Sequence, residues 1–265
     1  MSIIQSIIIA IIEGITEFLP ISSTAHMKLA NPLLHISESA FTNMFEVVIQ
    51  LAAILSVVVI YWKKFFDFKN VGLYVKLVIA VIPALIVGAL LKKHIDAVLS
   101  NLTFISCVMI AGGIILLFVD KFFTRSNTDE ERQITYPKAF IIGCFQTLSI
   151  LFPGLSRSAA TIIGGMSQKL TRRLAAEFSF FLAVPTMLAA SAKSFWDVYK
   201  ENPEVLVKDN FTLLAVGGIV SFIVALLAVK FFISYIQKYG FRLFGWYRIG
   251  LGVSFLVYIF FFQIK

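Results

Sequence analysis

The chain has 265 residues, 59% of them hydrophobic and 14% charged, with a mean hydropathy of +0.90. Soluble domains carry about 45–50% apolar and about 25% charged residues, so a water-soluble globular fold is excluded. The formal charge of +8 points to no nucleic-acid partner, because in a membrane protein such charge sorts between the two sides of the bilayer.

The first element covers residues 1–35. It opens on the apolar run IIQSIIIAII and continues as EGITEFLPISSTAH, Glu13 to His26. No lysine or arginine precedes the run, and Glu13 and Glu17 interrupt it, so it does not read as a secretory signal. Glu13 and Glu17 are four residues apart and share a helix face, about 6 Å from one another. Two carboxylates so close in a poorly solvated place suit acid–base work or the bridging of a divalent cation. The plainer alternative is a helix face that meets water. Pro20 stops the first helix, and Ser22, Ser23 or Thr24 can cap the next. A helix N-terminus with free N–H groups and hydroxyls is also a phosphate cradle. His26 could shuttle a proton or attack phosphorus; His35 and His94 have nothing convergent around them and read as satisfied polar residues.

Three apolar stretches long enough to cross a bilayer follow, at 41–62, 73–91 and 102–119. A second polar, proline-interrupted segment then occupies 137–168, with Gln146 in GCFQ and Arg157 in PGLSRSAAT. Arginine offers a permanently charged fork matched to phosphate oxygens. Between two serines, after Pro-Gly, Arg157 reads as an anion clamp, the alternative being a side chain that snorkels to a headgroup. Three further spans complete the chain, at 178–196, 211–232 and 244–262. Glu46, Gln50 and Glu177 lie in spanning segments, placed to support the hairpin tips by hydrogen bonds, with Gln146 a weaker case. Cys107 and Cys144 lack metal or redox spacing and are predicted as buried packing residues.

The two polar segments echo one another. Pro20 and Pro153 are 133 residues apart, Glu46 and Glu177 are 131 apart, and both shifts approach half the chain. The predicted fold is an all-α polytopic membrane protein. It is an inverted repeat of two halves, each with one re-entrant helix hairpin and three transmembrane helices. One membrane domain covers 1–265: repeat 1 at about 1–123, a cytoplasmic loop at about 124–136, and repeat 2 at about 137–265. The odd number of spans in each half turns the second upside down, and broken helices at matching positions point to a site near the membrane middle. Thirteen basic residues fall on one set of connections (Lys63, Lys64, Lys69, Lys121, Arg125, Arg132, Lys138, Lys169, Arg172, Arg173, Lys230, Lys238, Arg242). Seven fall on the other (Lys28, Lys92, Lys93, Lys193, Lys200, Lys208, Lys265). The positive-inside rule puts the richer side in the cytoplasm. Lys76, Arg157 and Arg248 lie within or beside apolar segments, and Arg157 is taken as the important one.

Carboxylates, hydroxyls, a histidine and an arginine converging at the midplane suit a phosphorylated group presented from lipid, a chemistry that needs mainly positioning and charge stabilisation. At these residues the chain resembles the undecaprenyl-pyrophosphate phosphatases, also called the bacitracin-resistance family. EGITEFLPISSTAH matches the family's first motif except for Ala25 in place of glycine, and PGLSRSAAT matches the second except for Ala159. FEVVIQLAAIL, GCFQ and EFSFFLAVP extend the likeness along nearly the whole chain.

The resemblance implies hydrolysis of undecaprenyl pyrophosphate to undecaprenyl phosphate and inorganic phosphate, recycling the carrier lipid of cell-wall synthesis. It also implies a multi-pass plasma-membrane location with the site opening to the extracytoplasmic side, bacitracin resistance, and use of Mg²⁺ or Ca²⁺. Carried over by position, Glu13 and Glu17 belong to the metal-associated, catalytic motif. His26, Ser23 or water is the nucleophile or base, and Arg157 binds pyrophosphate with Ser156, Ser158 and Thr161 as hydrogen-bonding neighbours. Ser22 and Thr24 of the first cradle are the further phosphate-binding candidates. Ala25 and Ala159 add methyl groups, so a left-handed backbone at either position would force the loop to adjust. The polyprenyl lipid and the bilayer are the expected partners, with a homodimer left open. The rival reading is a transporter or flippase of the lipid phosphate, since inverted repeats with broken helices are carrier architecture. Acid-phosphatase-type lipid phosphatases are rejected, because SRSAATIIGGM lacks their later histidine and aspartate.

Overall fold

The structure, a computed structural model, describes residues 1–91, 95, 98, 99, 101–123, 127–201, 205 and 207–262. Lys92, Lys93, His94, Arg125 and Lys265 lie outside the described residues, as does the side chain of Lys208. Among the described residues the chain is helical, with one isolated β-bridge, Thr128 to Leu170, and no strand.

Helix α1 (Ile3–Thr16) opens on a reciprocal cap: the Gln5 N–H donates to Ser2 Oγ, and the Ser2 N–H donates to the Gln5 side chain. It stops ahead of Pro20, whose ring cannot continue a helix, and a tight turn leads into α2 (Ser23–Leu33). Next come α3 (Ala40–Ile60), the single turn α4 (Trp62–Phe65), α5 (Val71–Leu90) and α6 (Leu102–Phe122). A 3₁₀ turn, Glu131–Gln133, precedes α7 (Tyr136–Leu151). That helix breaks before Pro153 and is followed by α8 (Arg157–Ser167), α9 (Arg172–Glu201), α10 (Lys208–Tyr239) and α11 (Arg242–Phe262).

Six of these, α3, α5, α6, α9, α10 and α11, are long and apolar enough to cross a membrane. Each contains or largely covers one of the six predicted spans. Their exposed faces are greasy: on α10, Ile219, Ile223 and Leu227 recur every four residues and are at least half exposed. A soluble helix turns such a stripe inward; turned outward, it suits lipid. Cys107 and Cys144 lie on this outer surface, exposed, which corrects the expectation of buried packing. A small apolar side chain is as compatible with lipid as with a core.

Helix α9 is the interior member. Of its apolar window 67% is buried, against 22% for α11, and it packs on α3, α5, α8 and α10. Around it, Phe18, Leu19 and Ile21 of the first turn join Phe178, Phe180 and Phe181 in the main apolar cluster. The α1–α2 turn is thereby held against α9 by burial.

Candidate active site

Two broken helices build the site, and their turns have the same shape. Ser22 and Ser156 both take positive φ, 71° and 75°. Each caps the helix that follows, its Oγ accepting from the N–H of Ala25 at 3.4 Å or of Ala159 at 3.3 Å. Gly154 takes φ 98°, and a Cβ there would lie 2.6 Å from the Ile105 carbonyl oxygen. Only glycine fits both demands. The N-termini of α2 and α8 meet at a cavity of about 370 Å³, lined among others by Glu17, Ser22, Ser23, Thr24, Gln50, Gly154, Ser156 and Arg157.

Arg157, the first residue of α8, joins the two hairpins. Its Nη2 donates to Glu17 Oε1 at 2.8 Å and its Nη1 to the Ser179 carbonyl at 3.1 Å. The second carboxylate oxygen, Glu17 Oε2, accepts from Ser23 Oγ at 2.6 Å. Both charged side chains are largely buried, where charge-assisted bonds count most. Arg157 Nε is buried without a partner, leaving a donor to spare. A guanidinium, hydroxyls and two helix N-termini around one void are groups that can hold an anion, and a phosphate-type ligand would match the arginine fork.

Glu13 lies one helical turn before Glu17, fully buried, and neither of its oxygens has a hydrogen-bond partner. Among the described residues no group of three His, Cys, Asp or Glu side chains could hold a metal. His26 is not among the cavity's lining residues. Its Nδ1 lies 2.7 Å from the Ser22 carbonyl and its Nε2 2.8 Å from the Tyr247 hydroxyl, with the two rings stacked at 5.6 Å.

Several predicted site residues sit elsewhere. Ser158 donates across the hairpins to the Phe18 carbonyl at 2.7 Å, and Thr161 pairs with Ser179 Oγ at 2.6 Å. Both hydroxyls fasten helices to one another and do not line the cavity. Gln146 ties α7 to Thr186 of α9 at 3.3 Å, and Glu46 accepts from Asn31 of α2 at 2.8 Å. Glu177 does not support a hairpin tip: it binds Arg173 at 3.0 Å and Lys64 at 3.3 Å. The reason is its place near the start of α9, at the α4 end, whereas Ser179 lies beside Arg157. Of the residues named for support, Gln50 alone lines the cavity.

The family model described as Bacitracin resistance protein BacA matches residues 6–254. The chain belongs to this family. A relative from Flavobacterium psychrophilum is 52% identical over 261 residues, covering 98% of this chain and 97% of its own. Others from Porphyromonas gingivalis, 49% identical over 268 residues (95% of each chain), and Bdellovibrio bacteriovorus, 43% identical over 265 residues (98% and 97%), are similar along their lengths. All three are named undecaprenyl-diphosphatase. With its apolar helices, this makes the chain an integral membrane protein. Ala25 and Ala159, the departures from the family motifs, lie inside α2 and α8 and are buried. The left-handed residues of the two turns are Ser22, Gly154 and Ser156, so the extra methyl groups at Ala25 and Ala159 meet no backbone strain. What residue-level reasoning passed over lies on the last helix: Tyr247, the partner of His26, and Arg248. The available signal was an arginine in an otherwise apolar run, which is costly in a membrane and usually functional.

Proposed function

We propose that this chain is an undecaprenyl-diphosphatase, hydrolysing undecaprenyl pyrophosphate to undecaprenyl phosphate and inorganic phosphate and so recycling the cell-wall carrier lipid. The observation that carries the reading is the Ser23–Glu17–Arg157 chain of hydrogen bonds, 2.6 and 2.8 Å, at a cavity between two helix N-termini. The names of its relatives supply the lipid's identity.

In this mechanism the pyrophosphate enters the cavity and takes Arg157 from Glu17. The fork and the N-termini of α2 and α8 bind the phosphate oxygens. Glu17 Oε2, already accepting from Ser23, takes the proton of the nucleophile, either Ser23 Oγ or a water in its place. The nucleophile bonds to the terminal phosphorus, the bond from phosphorus to the bridging oxygen breaks, and that oxygen leaves with undecaprenyl phosphate. A water nucleophile gives inorganic phosphate directly. On Ser23, a second water, deprotonated by Glu17, attacks the phosphoserine, breaks its Oγ–phosphorus bond and frees inorganic phosphate as Ser23 Oγ regains its proton. Preorganised charge supplies most of the rate. His26, held between Ser22 and Tyr247, orients the first turn. A hard divalent cation, Mg²⁺ or Ca²⁺, fits Glu13 and Glu17 in part. Glu13's unpartnered oxygens are suitable donors. Glu13 does not line the cavity, so it is Glu17 that would bring such a cation within reach of the substrate phosphate oxygens needed to complete its shell. Bound there, the cation would neutralise pyrophosphate charge.

The same reading makes the chain an inverted repeat with re-entrant hairpins. Supporting it, α1 packs on α10 as α7 packs on α5, and α3 packs on α10 as α9 packs on α5. The cavity is lined by Ile95 and Leu99 of the α5–α6 connection. That connection belongs to the side poorer in basic residues, which supports an extracytoplasmic opening in the plasma membrane.

Purified protein in detergent, given undecaprenyl pyrophosphate, should release phosphate. Folded protein that binds the lipid and releases none would overturn the hydrolase and leave the carrier reading.

A further inference from the structure

Arg248 is fully buried in α11, and the mechanism above gives it no part. Its partners are backbone carbonyls from three separate segments. Nη1 donates to Pro20 at 3.0 Å and to Leu155 at 2.7 Å, Nη2 to Gly154 at 2.7 Å, and Nε to Met109 at 3.2 Å. Pro20 lies in the first broken turn, while Gly154 and Leu155 lie in the second. One guanidinium therefore satisfies carbonyls from both turns, two residues before Ser22 and one or two before Ser156. Room for it is made on α6, where a Cβ on Gly112 would lie 2.3 Å from Nη2.

We propose that Arg248 is a positioning residue for the hydrolytic reaction, setting the separation and register of the two turns so that Glu17 and Ser23 face Arg157 across the cavity. This rests on the function proposed above. Turns exposing unpaired carbonyls need donors when buried, and separate donors would satisfy each turn independently. The planar fork of arginine fixes the directions of several bonds at once, so the two turns cannot shift against one another without breaking one. Lysine carries the same charge without that geometry. Catalysis is sensitive to this scale of motion, because a displacement of about 1 Å can cost about 100-fold in rate.

The test compares phosphate release from undecaprenyl pyrophosphate by wild type, Arg248→Lys and Gly112→Ala, each also combined with Arg157→Lys. Folding is checked by size-exclusion profile and thermal melt in detergent. The expected result for Arg248→Lys is a fall in kcat of about 100-fold with little change in KM, since the Arg157 fork still binds the phosphate. In the Arg157→Lys background the penalty should shrink, because the register then has less to align. A residue that served only to stabilise the fold would impose the same factor in both backgrounds. If Arg248→Lys fails to fold, Gly112→Ala, which leaves the arginine in place but displaces its guanidinium, decides by the same criteria. Folded variants with near wild-type kcat, or equal losses in both backgrounds, overturn the proposal. Inactive wild type overturns the hydrolase reading instead.

Discussion

Replacing Arg157 with alanine separates a structural loss from a chemical one. Glu17 is left buried with Ser23 as its remaining donor, its Oε1 having given up the 2.8 Å bond. Removing one partner of a buried ion pair costs about 3–5 kcal/mol, most of it the penalty of the orphaned charge. A lower melting temperature is therefore expected. Removing one preorganised donor to developing negative charge costs about 100- to 1,000-fold in rate, so phosphate release should fall by at least the lower figure. The double variant Arg157→Ala/Glu17→Gln removes the orphaned charge, and it should recover most of the lost thermal stability but none of the activity. The assay is phosphate release at saturating lipid, run beside a thermal melt of the same preparation. Arg157→Ala protein retaining more than about a tenth of wild-type activity would refute the clamp, and a double variant no more stable than the single one would refute the buried-pair energetics.

Glu177→Gln should leave phosphate release unchanged and cost at most about 1 kcal/mol, because its partners Lys64 and Arg173 are about half exposed. Ser158→Ala leaves the buried Phe18 carbonyl without its 2.7 Å donor and should destabilise by about 1–3 kcal/mol, read as a shift in melting temperature. Gly154→Ala should sharply reduce both folded yield and activity, since a Cβ would strike the Ile105 carbonyl from a backbone at φ 98°. Chelation should abolish phosphate release and added Mg²⁺ restore it, while Glu13→Gln should raise the Mg²⁺ needed for half-maximal activity by about tenfold or more.

How much of this was legible in the sequence depended on range. Apolar length located all six spanning helices, since the bilayer thickness sets it directly. The two proline breaks were equally readable, because a proline ring acts on its own turn. The motif residues were found as types, but which of them meet was not. Ser158 and Thr161 share the second motif with Arg157, yet helical periodicity turns their hydroxyls to Phe18 and Ser179. Glu177 matched Glu46 in spacing, but its neighbours are Lys64 and Arg173, brought there by the α4 turn and the start of α9. The role of Arg248 was the least legible. Its partners are main-chain oxygens up to 228 residues away, and carbonyls carry no side-chain letter.

The fastening of both turns by the last helix bears on how the protein is made. Glu17, Ser23 and Arg157 are all synthesised well before Arg248 leaves the ribosome, with roughly 90 residues between the last two. At about 5–20 residues per second, the nascent chain spends several seconds holding every group that would touch substrate while lacking the residue that aligns them. A premature stop between the second motif and α11 would yield a protein with both signature motifs and no working arrangement of them, and competence arrives only once α11 has been made.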